Sequence, residues 1–203
     1  MREKISLDLD DTLVPFAKNW LKWIYKEKIS NHLYSLEDVK NYSWFYDVFG
    51  EKANDYFTSD PKQCYENMNP FPGSQIFYLF CIENFDVDIV THADHKKSEI
   101  AKKEFIKKWF GKNCKIKFVK KLQDKYEQTK NSILIDDYPL HIINHITYNK
   151  KPAILFNNKN RNGWGHIEDY KPLIEDLKPN MDLFYYATDY VECINILEKI
   201  KRK

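Results

Sequence analysis

Short runs of apolar and β-branched residues recur along the chain and are bounded by polar residues. The first run spans residues 5–9 and ends in acids, and the others span residues 86–91, 115–119, 132–135 and 152–156. Runs of this kind are typical of strands that are buried on both faces. The pattern therefore predicts five short strands, the first of which delivers polar groups at its carboxyl end.

Apolar residues at helical spacing lie between these runs. The first such set begins after residue 94, is closed by Gly111, has lysines on its opposite face and consists of Ala101, Phe105, Ile106, Trp109 and Phe110. A second set consists of Val191, Ile194, Leu197 and Ile200. Both patterns predict amphipathic helices that dock on a core. Strands that alternate with helices predict an α/β fold with a doubly wound parallel sheet.

The segment from residue 17 to residue 72 interrupts this alternation. It contains helical and aromatic-rich stretches but no run that indicates a buried strand. We therefore expect residues 17–72 to form a small helical cap inserted after the first strand, and residues 1–16 and 73–203 to form the α/β core. Most of the aromatic residues of the cap also fit an ordinary small core.

The composition indicates one folded domain without a strong overall charge. The 203 residues are 43% hydrophobic and 16% aromatic, which is enough to build a single core. Lysine and arginine total 32 against 30 aspartate and glutamate, so no global basic field is available to hold a nucleic-acid polymer or an anionic membrane. Any anion site must be local, which favours a small-molecule partner.

The cysteines and the absence of a long apolar stretch indicate the cellular compartment. Four widely spaced cysteines without a CxxC pair fit reduced thiols better than a disulfide framework or a zinc site. No stretch approaches the roughly 18 uncharged apolar residues that a membrane span requires. We therefore expect a cytoplasmic protein that is neither exported nor bound to a membrane.

Acidic residues follow the first predicted strand. Asp8 and Asp10 lie two residues apart where the apolar run gives way to polar chain, so both side chains can face one site. In an alternative interpretation the acids only cap the following helix, which fits Asp11 or Thr12. Helix capping does not explain a cluster of three acids.

A second acidic pair ends another predicted strand. Asp136 and Asp137 follow a buried run, and Pro139 then begins the next helix. Adjacent like charges at a strand end repel each other unless a cation or a donor compensates them. Two such strand ends therefore predict one shared magnesium ion.

The sequence from Asp8 to Leu13 resembles the first motif of haloacid dehalogenase phosphatases, an apolar strand followed by Asp-x-Asp-x-Thr. This resemblance implies that the Asp8 carboxylate attacks phosphorus and that Asp10 is the general acid and base. Thr91, at the end of the second predicted strand, then corresponds to the hydroxyl that binds a phosphate oxygen. Lys125 stands where nucleotidases of this superfamily have their lysine.

The same resemblance implies a set of magnesium ligands. Asp8, the backbone carbonyl of Asp10 and Asp137 would hold the ion, and Asp136 would support Asp137 or hold Lys125. A set made only of oxygen ligands favours Mg²⁺ over zinc.

A wider resemblance, from residue 4 to about residue 157, is to the deoxyribonucleotidase group of 5'-nucleotidases. Phe16 matches the aromatic residue that stacks on the base in that group, and Trp44 and Phe45 resemble its cap aromatics. Stacking is worth about 1–3 kcal/mol per base and accepts any base. Packing of the first helix is an alternative role for Phe16.

The loop after Thr91 both resembles and departs from the pattern of that group. Residues 91–96 stand where the group has a Thr-Ser-Pro segment with a downstream lysine, so His92 and Lys96 are expected to contact substrate. His92 and Ala93 replace Ser-Pro, and Thr12 follows the pattern of the whole superfamily. These departures concern sugar and base preference and leave the phosphate chemistry intact.

The sequence thus predicts a magnesium-dependent phosphomonoesterase that forms an aspartyl phosphate and acts on (deoxy)ribonucleoside monophosphates as a 5'-nucleotidase. Two alternatives remain open, namely a phosphatase for another small phosphoester and a non-catalytic relative that binds a phosphorylated ligand. Family analogy and the aromatic residues permit a homodimer.

Overall fold

The computed structural model describes residues 2–39, 43–58, 61–93, 95–121, 124–157 and 171–202. Residues 163–165, a Gly-Trp-Gly sequence for which the sequence patterns give no role, lie outside the described residues. The helices of the described residues are α1 (Phe16–Lys26), α2 (Trp44–Phe49), α3 (Asp55–Thr58), α4 (Pro61–Glu66), α5 (Ser74–Asn84), α6 (Lys96–Phe110), α7 (Lys125–Gln128), α8 (Pro139–Asn149), α9 (Lys171–Glu175) and α10 (Tyr190–Lys201). Short 3₁₀ segments span Gly50–Asn54 and Lys178–Leu183. Among the helices described here, none is long and apolar enough to cross a membrane.

One sheet organises the core. Its parallel strands are β1 (Lys4–Leu7), β2 (Asp86–His92), β3 (Lys115–Val119), β4 (Ile133–Asp136), β5 (Ala153–Phe156) and β6 (Phe184–Ala187). The strands lie in the order β3-β2-β1-β4-β5-β6. This arrangement confirms the predicted α/β fold with a doubly wound parallel sheet.

Five of the strands correspond to the five predicted runs, and their ends agree within two residues. The sequence patterns do not predict the edge strand β6. It contains two adjacent tyrosines and is only partly covered, with Tyr186 39% exposed, so it lacks the apolar signature of a strand buried on both faces.

β1 lies in the middle of the sheet, and its apolar residues are buried on both faces. Ile5 pairs with Val87 of β2 on one side and with Ile133 of β4 on the other. The strand order changes direction between β1 and β4. Open α/β sheets bind ligands in the crevice that forms at the carboxyl ends of the strands at this point.

The long helix α6 forms as predicted, but one of its lysines is buried. Ala101, Phe105 and Ile106 are buried and Gly111 follows the last turn with a φ of 104°, a conformation that suits glycine. The sequence predicts lysines on the solvent face, yet Lys102 is only 5% exposed. Lys102 is adjacent to Ala101 and precedes Ile106 by four residues, so it lies on the apolar stripe.

The last helix, α10, forms as predicted and buries Leu197 and Ile200 of the predicted set, with Ile194 partly buried, but its first turn differs. Cys193, Leu197 and Ile200 are buried, whereas Val191 is 66% exposed. Asp189 caps the helix by accepting a hydrogen bond from the Glu192 N–H, which fixes where its first turn begins. The buried stripe therefore starts two residues later than the apolar pattern suggests.

The chain between β1 and β2 contains helices joined by turns and, among its described residues, no strand of the sheet. Trp20 of α1 is fully buried and stacks on Phe45 of α2, with ring centroids 3.8 Å apart. The backbone N–H of Phe71 donates to the Leu13 carbonyl, so the returning chain contacts the loop after β1. The limits of the cap, residues 17 and 72, remain a prediction.

Candidate active site

The carboxylates that the sequence singles out meet at the carboxyl ends of β1 and β4. Asp8 directly follows β1, and its N–H donates to the Ile135 carbonyl across 2.9 Å. Asp136 is the last residue of β4, and Asp137 comes next. Oxygen atoms of Asp8, Asp136 and Asp137 lie within 4.8 Å of one another, and all three side chains are buried. Neighbouring parallel strands end at the same edge, which is why residues 128 positions apart converge here.

Lys125 lies between the two acidic strand ends. Its Nζ donates to Asp8 Oδ1 and lies 2.7 Å from Asp136 Oδ2, and the residue is 2% exposed. Burial favours the neutral amine and lowers the pKa of Lys125. The carboxylates of Asp136 and Asp8 outweigh burial and raise the pKa overall, so the side chain stays a cation.

Asp136 already has protein donors on both oxygens. Its Oδ1 accepts the Tyr138 N–H across 2.9 Å and faces His141 Nδ1 at 3.1 Å, while Oδ2 faces Lys125. Burial raises the pKa of Asp136, but His141 and Lys125 outweigh it and hold the pKa well below its ordinary value. These contacts suit Asp136 to fixing Lys125, one of the two roles that the sequence leaves open.

The surroundings of Asp8 shift its pKa in the opposite direction to that of Asp136. Burial raises its pKa to about 6, Lys125 opposes the rise, and the charges of Asp136 and Asp10 add to it. In this part of the described chain, four carboxylates (Asp8, Asp10, Asp136 and Asp137) meet two lysine ammonium groups (Lys102 and Lys125). The excess negative charge and the oxygen-only donors fit a hard divalent cation such as Mg²⁺.

Thr12 and Asp11 have separate tasks in the loop after β1. Thr12 is buried, and its hydroxyl donates to Asp137 Oδ1 across 3.3 Å. Asp11 has a φ of 54°, and its carboxylate accepts the Ala17 N–H in the first turn of α1, at 3.1 and 3.2 Å. The helix-capping interpretation of the sequence thus applies to Asp11, whereas Asp8 and Asp10 face the site.

Lys102 is part of the site although the sequence interpretation did not single it out. Its Nζ lies 2.5 Å from Asp10 Oδ2, 2.8 Å from Thr91 Oγ1 and 2.6 Å from the His92 carbonyl. The signal that could have found it is its place on the apolar stripe of α6, where a lysine needs buried acceptors. Thr91 itself is fully buried near the end of β2.

The other two residues near the end of β2 that are predicted to contact substrate are His92 and Lys96. Lys96 is exposed at the start of α6. His92 is partly buried, and its Nε2 lies 3.1 Å from the Lys120 carbonyl. Among the lysines of α6, Lys102 is thus the one with a described contact to Asp10 and Thr91.

The aromatic residues that the resemblance assigns to substrate binding, Phe16, Trp44 and Phe45, pack against other rings of the helical segment. Phe16 is 4% exposed and contacts the rings of Trp20 and Tyr65. Phe45 is fully buried, and Trp44 lies edge-on to it with centroids 5.3 Å apart. This packing is the alternative role that the sequence leaves open for the cap aromatics.

A buried histidine supports the chain that carries Lys125. His145 of α8 has Nδ1 2.9 Å from Thr129 Oγ1 and Nε2 3.1 Å from the Ser132 carbonyl, and the Thr129 hydroxyl donates to the Lys125 carbonyl. Burial lowers the pKa of His145 to about 4, against which the Ser132 carbonyl acts only weakly. The imidazole is therefore neutral at physiological pH.

Another contact joins α10 to the loop after β1. The Tyr190 hydroxyl donates to the Thr12 carbonyl across 2.8 Å. The Tyr190 ring stacks between Phe77 and Phe156, with centroids 5.0 and 4.9 Å away. The last helix thereby fixes the backbone that precedes the cap.

Comparisons with known proteins give similar structures. No protein-family model matches the sequence, and no curated protein matches it. A haloacid dehalogenase-like family hydrolase from Streptococcus pneumoniae is 13% identical with a TM-score of 0.62, and the match covers 97% of this chain and 98% of that one. A hydrolase from Pseudomonas syringae is 13% identical with a TM-score of 0.57, covering 98% and 99% of the two chains.

A third similar structure is that of a HAD-hydrolase from Bacillus subtilis bound to magnesium. It is 12% identical with a TM-score of 0.55, and the match covers 85% of this chain and 98% of that one. At such identities the likeness concerns the fold. The chain has the fold of haloacid dehalogenase-like hydrolases.

Proposed function

We propose that this protein is a magnesium-dependent phosphomonoesterase in which Asp8 is the nucleophile. The observation that carries the proposal is the convergence, at one edge of a sheet with the haloacid dehalogenase fold, of acids and lysines from separate parts of the chain. The converging side chains are Asp8, Asp10, Thr91, Lys102, Lys125, Asp136 and Asp137.

The chemistry has two displacements at phosphorus. In the first, an Asp8 oxygen forms a bond to phosphorus while the bond to the leaving oxygen breaks, and Asp10 gives that oxygen its proton. In the second, water attacks the aspartyl phosphate, Asp10 takes a water proton and the Asp8 carboxylate is released. Lys125 contacts Asp8 Oδ1, which leaves the other oxygen to attack.

Thr91 and the two lysines supply donors for the phosphoryl oxygens. Because the Lys102 ammonium has only donors, Thr91 Oγ1 is the acceptor of their contact and its own proton is directed elsewhere. We infer that this proton is donated to a phosphoryl oxygen. Preorganised donors of this kind stabilise charge that develops in the transition state.

The carboxylates fit a magnesium ion, which when bound neutralises phosphoryl charge and reduces its repulsion from the nucleophile. Asp8, Asp137 and the Asp10 carbonyl would hold it. The hydroxyl of Thr12, which donates to Asp137 Oδ1, orients that ligand.

Within this class, a nucleoside monophosphate is the first substrate that we propose, with 5'-nucleotidase activity. It rests on the resemblance of the loop and cap residues to the deoxyribonucleotidases. The burial of Phe16 and Phe45 favours a second candidate, hydrolysis of another small phosphoester, because these rings already pack against protein.

A substrate panel tests the proposal. Phosphate release is measured from 5'- and 3'-deoxy- and ribonucleoside monophosphates and from sugar phosphates, with magnesium or with a chelator. We expect turnover that requires magnesium and falls at least about a thousandfold in Asp8→Asn, because the nucleophile is lost. Asp176→Asn, at an exposed acid, is the matched control and should keep wild-type activity.

The possible outcomes test the identity of the substrate separately from the mechanism. Turnover of sugar phosphates alone would remove the nucleotidase and keep the mechanism. Undiminished turnover in Asp8→Asn would contradict the mechanism itself. Nucleotide binding without turnover in the wild type would favour a non-catalytic role.

A further inference from the structure

The Asp10 carboxylate has a donor on each oxygen, and the two donors come from different parts of the chain. Lys102 of α6 lies 2.5 Å from Oδ2. The hydroxyl of Tyr65 in α4 donates to Oδ1 across 2.8 Å. Because α4 belongs to the segment inserted between β1 and β2, one of the two donors reaches Asp10 from the predicted cap.

The surroundings of Tyr65 fix its ring. Tyr65 is 5% exposed, and its ring stacks against Phe16 of α1 with centroids 6.2 Å apart and an interplanar angle of 30°. On the core side, the ring contacts Phe105 of α6 at 5.5 Å, and the Lys102 ammonium lies 5.7 Å from its centroid. A ring packed between two helices has few rotamers. The packing therefore fixes the position of the Tyr65 hydroxyl oxygen beside Asp10.

These contacts leave Asp10 able to transfer a proton. A carboxylate offers about four lone-pair sites, and Tyr65 and Lys102 use one on each oxygen. A general acid must lie within hydrogen-bond reach of the leaving oxygen, and small misplacements reduce the rate strongly. The Asp10 side chain is 23% exposed, so without Tyr65 it has space to rotate.

We propose that Tyr65 is a positioning residue that aligns Asp10 with the leaving oxygen when α4 lies against the core. The inference rests on the proposed phosphatase activity. Tyr65 acts through Asp10 and not on the phosphoryl group, so its effect on formation of the aspartyl phosphate depends on how much the leaving group needs a proton. The proposal therefore predicts a loss that differs between substrates.

The test compares two leaving groups in Tyr65→Phe, which keeps the ring and removes the hydroxyl. The best alkyl phosphomonoester of the substrate panel has a strongly basic leaving oxygen, whereas p-nitrophenyl phosphate has a leaving oxygen that departs without a proton. We expect kcat/KM for the alkyl ester to fall about tenfold or more, and kcat/KM for p-nitrophenyl phosphate to change less than about twofold, because kcat/KM reports formation of the aspartyl phosphate and not its hydrolysis, in which Asp10 acts on both substrates alike.

Tyr56→Phe is the matched control. Tyr56 is also a buried tyrosine of the inserted segment, but its hydroxyl donates to the Cys64 carbonyl at 3.3 Å. It should leave both substrates at wild-type rates. Equal losses of kcat/KM on both esters in Tyr65→Phe, or no loss on either, would overturn the positioning role while wild-type turnover and the inactive Asp8→Asn preserve the proposed function. A wild-type protein without turnover would overturn both.

Discussion

Lys102 is the residue whose surroundings carry the most information about the site. A lysine ammonium has three donors and no acceptor, and Lys102 directs them at the Asp10 carboxylate, the Thr91 hydroxyl and the His92 carbonyl. A buried lysine without such partners would be strongly destabilising. Its position therefore links the end of β2 to the loop after β1.

Replacing Lys102 tests this link. We expect Lys102→Met to lower kcat/KM about a hundredfold, because the Thr91 hydroxyl loses its orientation and Asp10 loses a charged donor. Steady-state phosphate release measures the effect. Lys107→Met, at an exposed position of the same helix, should stay within about twofold of the wild type. Equal activity of the two variants would show that Lys102 is only a structural cation.

At the scale of single residues, sequence reasoning identified side chains whose chemistry follows from their place at a strand end. Asp8 and Asp137 belong to this group, because an acid after a buried strand must lie at the edge of the sheet. Lys102 and Tyr65 do not, because their contacts with Asp10 depend on how α6 and α4 pack. The apolar stripe of α6 signals that Lys102 is buried, but a single sequence does not identify the partner that such a side chain contacts on another element.

At the scale of elements, β1, β2, β4 and β5 could be predicted because buried strands demand apolar residues. The edge strand β3 is partly exposed, but its residues Ile116, Phe118 and Val119 indicate a strand. The other edge strand, β6, is also partly exposed and contains no β-branched residue, so it could not be predicted. In α10, the exposure of Val191 and the burial of Cys193 also escaped prediction, because they depend on the cap at Asp189 and on packing against α5. Propensity locates elements, whereas neighbours decide which face is buried.

The buried His145, which joins α8 to the chain after α7, gives a prediction about the stability of the protein in acid. The pKa of His145 is about 4 in the folded protein against an ordinary 6.5, so between these values the unfolded chain binds more protons. The contribution of His145 is complete above pH 6.5 and declines as the pH falls to 4. The shift corresponds to about 3 kcal/mol of the free energy of unfolding.

Urea unfolding of the wild type and of His145→Gln, at pH 7 and at pH 4.5, isolates this contribution. We expect the wild type to lose more stability on acidification than the variant, by about 2–3 kcal/mol. Asp8 acts in the opposite direction, because its raised pKa makes the folded state bind protons more readily, but it does so in both proteins. His95→Gln, at an exposed position, is the matched control. Parallel pH dependences in the wild type and His145→Gln would contradict the assignment.

At the scale of the whole molecule, the excess of carboxylates makes the site a source of instability until a cation binds. We expect saturating magnesium, at about a hundredfold excess over Kd, to raise the thermal unfolding temperature by about 5–10 °C. In Asp137→Asn the shift should nearly vanish. Without magnesium, this variant should be at least as stable as the wild type, because repulsion between neighbouring carboxylates is relieved.

Thermal unfolding monitored by circular dichroism checks this expectation without any substrate. Asp176→Asn should show the full magnesium shift, since its carboxylate is exposed on another part of the molecule. The same shift in Asp137→Asn as in the wild type would exclude Asp137 as a ligand.

The hydrogen bond from Tyr190 to the Thr12 carbonyl joins residues 178 positions apart. Contacts between such distant parts of a chain close late, because a large loop must be ordered first. During translation, the segment that carries Asp8 and Asp10 emerges from the ribosome early, whereas β4 and α10 emerge much later. A nascent chain therefore carries its first acidic cluster without an assembled site until β4 and α10 have emerged.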